Sequence, residues 1–193
     1  MSYTPLNDTL YIPFDTETGG VVEESTLLTV HFAICDSKFN IIDELDLAVK
    51  PNGREAQYNI TARALEINHI DLIEHDKVAK TFSEAGQELR NFLWKYSNNG
   101  KIKLIPVGKN VGFDIKKVND QLLGASTWNQ FVSYRTYDIT SMIIMVKRKG
   151  LLPEDAPESL EELGKYFGID FVAHTAKGDN YAGIEVVKRL ESL

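Results

Sequence analysis

The chain has a single cysteine, Cys35, among 193 residues. An internal disulfide is therefore excluded. The thiol sits in an apolar run, which predicts burial and a reducing, cytoplasmic setting. Long hydrophobic stretches are also lacking. None approaches the ~18 residues that a membrane helix needs, and the N-terminus lacks the basic start and apolar centre of a secretory signal. No membrane partner is expected. Positive charge is scarce: Lys and Arg total 21 against 28 Asp and Glu, a net charge of −7. This argues against a protein that coats duplex nucleic acid through many phosphates. It leaves room for sites where bound cations supply the local positive field. Internal repeats, linkers and low-complexity segments are absent too. One domain over residues 1–193 is expected, with residues 1–8 as a flexible lead-in. A hydrophobic fraction of 43% and a charged fraction of 25% are ordinary for a globular chain.

The apolar residues carry the element pattern. Residues 10–14 read as a first strand, and 27–35 and 41–49 as two more, joined by the turn-like Asp36–Asn40 into a hairpin. Residues 61–67 read as a short helix. Thr81 and Glu84 have capping-box spacing ahead of a helix with Phe82, Ala85, Leu89, Phe92 and Leu93 on one side. Residues 102–107 form a short buried strand. Asn110 is placed to cap a helix whose stripe is Val111, Ile115, Val118 and Leu122. Further helices are expected over 139–147, 159–167 (stopped by Gly168) and 175–190. Early strands followed by strand–helix alternation predict an α/β fold: a mixed central sheet of about five strands, flanked by helices on both faces. Pro13 conflicts with a central strand, so a bulge or a strand end is expected there.

The chemistry lies in four segments. In Asp15-Thr-Glu17, the two carboxylates share a face of the first strand. Packed closely they repel unless a cation lies between them, and their oxygens suit Mg²⁺ or Mn²⁺. Asn110-Val-Gly-Phe-Asp114 begins a helix after a buried strand, His174-Thr-Ala-Lys-Gly-Asp179 begins the last helix, and Tyr137-Asp138 sits at a strand-to-helix junction. Each has a plain reading alone. An Asp-x-Glu pair is usually solvated, Asp114 and Asp179 suit the first turn of a helix, and a lone His174 is more often a surface or packed histidine. Taken in this order and spacing, the set resembles the DEDDh 3′→5′ exonucleases, a family on the RNase H-like fold. The resemblance runs from about residue 9 to 190, and includes Ala64–Ile70 and Ser159–Gly168.

The resemblance implies a two-metal hydrolysis of phosphodiester bonds with two divalent cations, Mg²⁺ or Mn²⁺, that releases nucleoside 5′-monophosphates. It makes Asp15 the ligand shared by both ions. Glu17 and Asp179 would hold the ion that activates water, and Asp114 the ion beside the leaving oxygen. His174 would be the general base, on a loop suited to swinging in with substrate. Asp138 reads as a helix N-cap or a support for the ligands. Thr16, Thr18 and Gly19 are expected near the terminal nucleotide, glycine allowing close backbone approach. Ile67, Asn68 and His69 match a segment that contacts the last bases, or else a helix end packing on the core. Asn110 is a candidate sugar or phosphate contact, although Lys109 stands where many members have histidine. Lys116, Lys117 and Lys147–Lys149 read as solvated faces before they read as backbone contacts. The implied partner is the 3′ end of single-stranded DNA or RNA. A homodimer and a polymerase partner are left open, with no recognisable polymerase-binding tail, so a stand-alone enzyme is expected. A binding module on the same fold, or a phosphoesterase of short oligonucleotides, is the alternative.

Overall fold

The structure, a computed structural model, describes residues 9–53 and 57–193; the lead-in expected over 1–8 lies outside them. The expected hairpin forms from β2 (Leu27–Cys35) and β3 (Ile41–Lys50). Its turn is held by the Asp36 carboxylate, which accepts from Lys38 N at 2.8 Å and Asn40 N at 2.9 Å. β1 (Tyr11–Thr18) lies antiparallel to β2, and β5 (Ile105–Gly108) lies parallel on its other side. With β4 (Lys80–Thr81) and β6 (Tyr137–Asp138), both two residues long, the sheet has six strands among the described residues, in the order β4-β3-β2-β1-β5-β6.

β1 departs from expectation in two ways. It does not end at Phe14 but runs on through the acidic residues, because Asp15, Thr16 and Glu17 pair with His31, Val30 and Thr29 of β2. Nor is there a bulge or strand end at Pro13, which keeps its register opposite Val107. The irregularity falls between Glu17 and Thr18. A sheet residue directs its N–H to one neighbour only, so proline removes one bond and leaves the register intact.

Side chains alternate across β1 and divide the interior in two. Ile12 and Phe14 join Val30, Phe32, Ile34 and Leu47 beneath α3 (Phe82–Tyr96), α4 (Gly112–Val118) and α5 (Ala125–Phe131). Tyr11, Ala33, Cys35 and Val107 face α6 (Ile139–Arg148), α7 (Leu160–Phe167) and α8 (Ala176–Glu191). Cys35 is fully buried, and burial pushes its thiol up to about 12. The Thr81–Glu84 capping box, the Ser159 cap and the left-handed Gly168 stop all form as expected. α1 (Ala62–Asn68) starts at its Thr61 cap. Two further helices, α2 (Leu72–Val78) and α5, have no counterpart in the expected pattern. α2 leaves Ile73 and Val78 exposed, so it has no apolar stripe to read; Asp71 caps it through Ile73 N and Glu74 N. Among the described residues no helix is long and apolar enough to cross a membrane.

α4 passes into a π-helical turn over Asn119–Leu123 that packs against α3. Lys117 is the notable residue here. It was expected on a solvated face but is only 2% exposed. Its ammonium donates to Val22 O at 2.8 Å, Glu23 O at 2.9 Å and Ser25 O at 2.9 Å. Gln121 adds a bond to Ser25 O and accepts from Leu27 N. The loop between β1 and β2 is thereby fixed by a charge that meets backbone carbonyls. The pattern is sound because an ammonium supplies three donors and a carbonyl fan supplies three acceptors. Lys117→Met keeps the apolar stem and strands those carbonyls. A loss of at least about 2 kcal/mol is expected from the charged hydrogen bonds removed, read as a lower urea midpoint at unchanged slope.

Candidate active site

The site forms where β1 outruns its parallel neighbour. β1–β5 pairing stops at Pro13, so the next residues of β1 have an open edge on that side. Asp15 and Glu17 project to the α8 face, the parity of Tyr11. α8 is docked there by Asn180, which is 4% exposed and donates to Pro13 O at 3.1 Å and His31 O at 3.2 Å. This anchor places Asp179, one residue before it in the first turn of α8, over the strand. One oxygen from each of Asp15, Glu17 and Asp179 lies within 4.8 Å of the others.

Asp114 reaches the open edge from the first turn of α4. Its Oδ1 accepts from Thr16 N at 3.1 Å and Thr16 Oγ1 at 2.5 Å. Thr16 thus holds a carboxylate, and its hydroxyl is engaged. The entry to α4 differs from expectation. Asn110 does not cap it by side chain; Asn110 adopts a left-handed backbone, φ 57°, and its carbonyl accepts from Phe113 N. Asp138 does the bracing. Its Oδ2 accepts from Val111 N at 3.0 Å, while its Oδ1 caps α6 through Thr140 N at 2.8 Å. The cap reading of Asp138 therefore holds. One carboxylate ties the starts of α4 and α6 together.

His174 precedes the Thr175 cap of α8. Its backbone N–H donates to Asp179 Oδ2 at 3.0 Å. Its half-exposed ring lies 3.8 Å, Nε2 to Oε2, from Glu161 of α7. The histidine is thus linked to the acidic cluster through its backbone, with its imidazole at the solvent edge.

Electrostatics mark the cluster as strained without a cation. Burial, then the charges of Asp114, Asp179 and Glu17, hold the Asp15 carboxyl well above the usual range. Burial with Asp179 and Asp114 takes Glu17 to about 7. Asp114 is also taken to about 7 by burial, against the lowering effect of its bonds from Thr16. Burial takes Asp179 to about 6, although the His174 N–H pulls the other way. The charged neighbours that act on Asp15 are all carboxylates. A hard divalent cation with oxygen preference fits this donor set.

The expected substrate contacts divide. Ile67 and His69 are exposed at the end of α1, His69 in a left-handed cap. Asn68 is buried and donates to Thr18 O at 3.3 Å, which ties α1 to the end of β1. The Thr18 hydroxyl donates to Gly20 O. The Gly19 N–H goes to Thr26 O, and its carbonyl accepts from Thr61 N. Glycine is required at 19 by packing: a Cβ there would lie 2.4 Å from Asn59 O. Of the lysines, Lys116 pairs with Glu23 and Asp120, and Lys147 with Glu158. Asn180 went unread in the sequence; its signal is one amide inside the otherwise small and apolar buried stripe of α8.

Raised carboxyl pKa values bind protons more tightly in the folded state than in the unfolded one. Stability therefore falls as pH rises from about 4, the ordinary carboxyl range, to about 7, where Glu17 and Asp114 ionise. In EDTA, this cluster should lower the melting temperature between pH 5 and pH 8. Mn²⁺ should raise it more at pH 8 than at pH 5, and metal-free Asp15→Asn should melt higher than wild type at pH 8. Thermal scans of both proteins check this; an Asp15→Asn protein no more stable than wild type at pH 8 contradicts the repulsion.

No protein-family model and no curated protein sequence matches the chain. Solved structures do. Exonuclease I matches with a TM-score of 0.78 and 20% identity, over 96% of this chain and 41% of its own. Exonuclease I of E. coli in complex with a dT13 oligonucleotide matches at 0.76 and 20%, over 96% and 41%. Product-bound exonuclease I matches at 0.74 and 19%, over 96% and 44%. The chain spans less than half the length of these proteins. The likeness is one of fold: the chain has the mixed α/β, RNase H-like architecture of exonuclease I, as the sequence resemblance implied.

Proposed function

We propose that the chain is a metal-dependent 3′→5′ exonuclease of the DEDDh type, acting on single-stranded DNA ends and releasing nucleoside 5′-monophosphates. The observation that carries this reading is the convergence of Asp15, Glu17 and Asp179 within 4.8 Å, with Asp114 bonded to the same strand. The exonuclease I fold supports the reaction class, and the dT13 oligonucleotide bound by one such protein supports single-stranded DNA over duplex. The net charge of −7 fits a protein that engages one strand end and not a long run of phosphates.

Bound divalent cations would supply the positive field that polarises the phosphate and makes water acidic near neutral pH. The chain's own residues do the rest. Asp15, Glu17 and Asp179 offer the oxygens that hold cations, and Asp114 completes the set from α4. Thr16 fixes the Asp114 carboxylate by two bonds, so the ligand is set before substrate arrives. His174 takes the proton from the attacking water. Its ring stands at the solvent edge, and its backbone bond to Asp179 keeps the base close to the cluster. The exposed Ile67 and His69 give the terminal nucleotide an apolar and a polar contact.

A 5′-labelled single-stranded DNA and an RNA of matched sequence, each with Mg²⁺, Mn²⁺ or EDTA, test the reading. A ladder shortening from the 3′ end in metal only, faster on DNA and absent in Asp15→Asn, is expected. No shortening under any condition refutes the enzyme and favours a binding module, and faster RNA cleavage refutes the substrate. His174→Ala should lower the rate roughly 10²–10⁴-fold while sparing Mn²⁺ binding; lost Mn²⁺ binding would make His174 a ligand.

A further inference from the structure

The segment between α7 and α8 carries His174, and a glycine on each helix faces it. A Cβ at Gly164 of α7 would lie 2.4 Å from Phe171 Cε1. A Cβ at Gly178 of α8 would lie 1.9 Å from Val172 O and 2.6 Å from Thr175 Oγ1. Real Cβ atoms essentially never come within 3.0 Å of a neighbour; at Gly164 the neighbour is a ring edge that can turn aside, whereas at Gly178 it is backbone, which has to move. Neither glycine has a positive φ, so neither is there for backbone freedom. Alanine is favoured over glycine inside a helix by about 1 kcal/mol. At Gly178 that gain is forgone where the backbone of the preceding segment comes too close for a methyl.

The approach is backed by hydrogen bonds. Ile169 N donates to Gly164 O at 2.8 Å, Thr175 Oγ1 to Val172 O at 3.0 Å, and Gly178 N to Thr175 Oγ1 at 3.1 Å. At the end of this chain of contacts, His174 takes a left-handed φ of 61° and its N–H meets Asp179. A histidine in that region is held there by its surroundings. Behind the segment lies an open apolar groove of about 690 Å³, walled by Ile169, Phe171, Val172, Tyr181, Ile184 and Ile41. A displaced segment has space to occupy, so a variant can fold and still misplace His174.

We propose that Gly178 is a positioning residue that seats the end of the 169–175 segment against α8, and so fixes His174 against the acidic cluster. The proposal rests on the reading of His174 as the base. An added methyl at Gly178 forces Val172 O outward by about an ångström, a displacement that costs on the order of 10²-fold in rate when it moves a catalytic group.

Gly164→Ala and Gly178→Ala test it beside Gly183→Ala, whose Cβ would meet only Ile139 Cδ1 at 3.4 Å. Two readouts are taken: kcat and KM on labelled single-stranded DNA with Mn²⁺, and hydrogen exchange of the Ile169 and His174 amides in metal-free protein. Gly178→Ala should exchange these amides roughly tenfold faster, and Gly164→Ala, whose methyl meets a movable ring edge, by less. The kcat of Gly178→Ala should fall roughly 10²-fold, and that of Gly164→Ala by less, with KM and Mn²⁺ affinity nearly unchanged. Gly183→Ala should match wild type. Unchanged exchange in Gly178→Ala overturns the seat whatever the activity. Faster exchange at unchanged kcat, with an active wild type, overturns its role in placing His174. An inert wild type instead refutes the proposed activity, and exchange alone then decides the seat.

Discussion

A strand that runs past the end of its neighbour governs this molecule. β1 is interior as far as Pro13, flanked by β2 and β5, and then keeps only β2. An unpaired strand edge presents N–H groups that need acceptors. Here a carboxylate from α4 takes the Thr16 N–H, so the same open edge that has to be satisfied also recruits an acid to the site. The pleat does the remainder, because strand alternation throws Asp15 and Glu17 together toward α8. The acidic cluster is thus a product of sheet geometry as much as of residue choice.

Around this point the connections are fixed by polar groups where an ordinary core would use apolar ones. Lys117 holds the β1–β2 loop by three carbonyls, Asp138 joins the starts of two helices, and Asn180 docks α8 on β1 and β2. Each is a directional contact made with full or near-full burial of the group or its partner, which rigidifies position in a way that hydrophobic contact does not. Directional anchors matter here because the cluster itself opposes folding: its carboxyls are raised by burial and by one another. The two apolar layers on either face of the sheet carry the stability that the site withholds.

Much of this was legible in the sequence, and the gaps have physical causes. The hairpin, the Thr81 and Ser159 caps and the long helices follow from patterns within a few residues, which is the range over which caps and periodicity act. The convergence of Asp15, Glu17 and Asp179 was implied by motif order, since strand and helix ends are where a sheet of this kind gathers side chains. What escaped depends on distant partners. Lys117 looks like any helical lysine until the carbonyls of Val22, Glu23 and Ser25 fold over it. Gly19 reads as a glycine for approach to a nucleotide, and nothing nearby in sequence announces that Asn59 O packs against it. Asn110 has the residue type of a cap, yet Asp138 satisfies the Val111 N–H from across the fold. α2 was invisible because a seven-residue helix with exposed Ile73 and Val78 has no stripe.

The burial of Cys35 has a practical side. Its thiol is sealed between the sheet and α6–α8, and its ionisation is pushed up to about 12, so almost no thiolate exists near neutral pH. Maleimide and disulfide reagents act on the accessible thiolate. The native chain therefore offers them a silent background. A cysteine introduced on the surface of the molecule can carry a fluorophore or spin label alone, without first removing the native one and disturbing the layer it packs in.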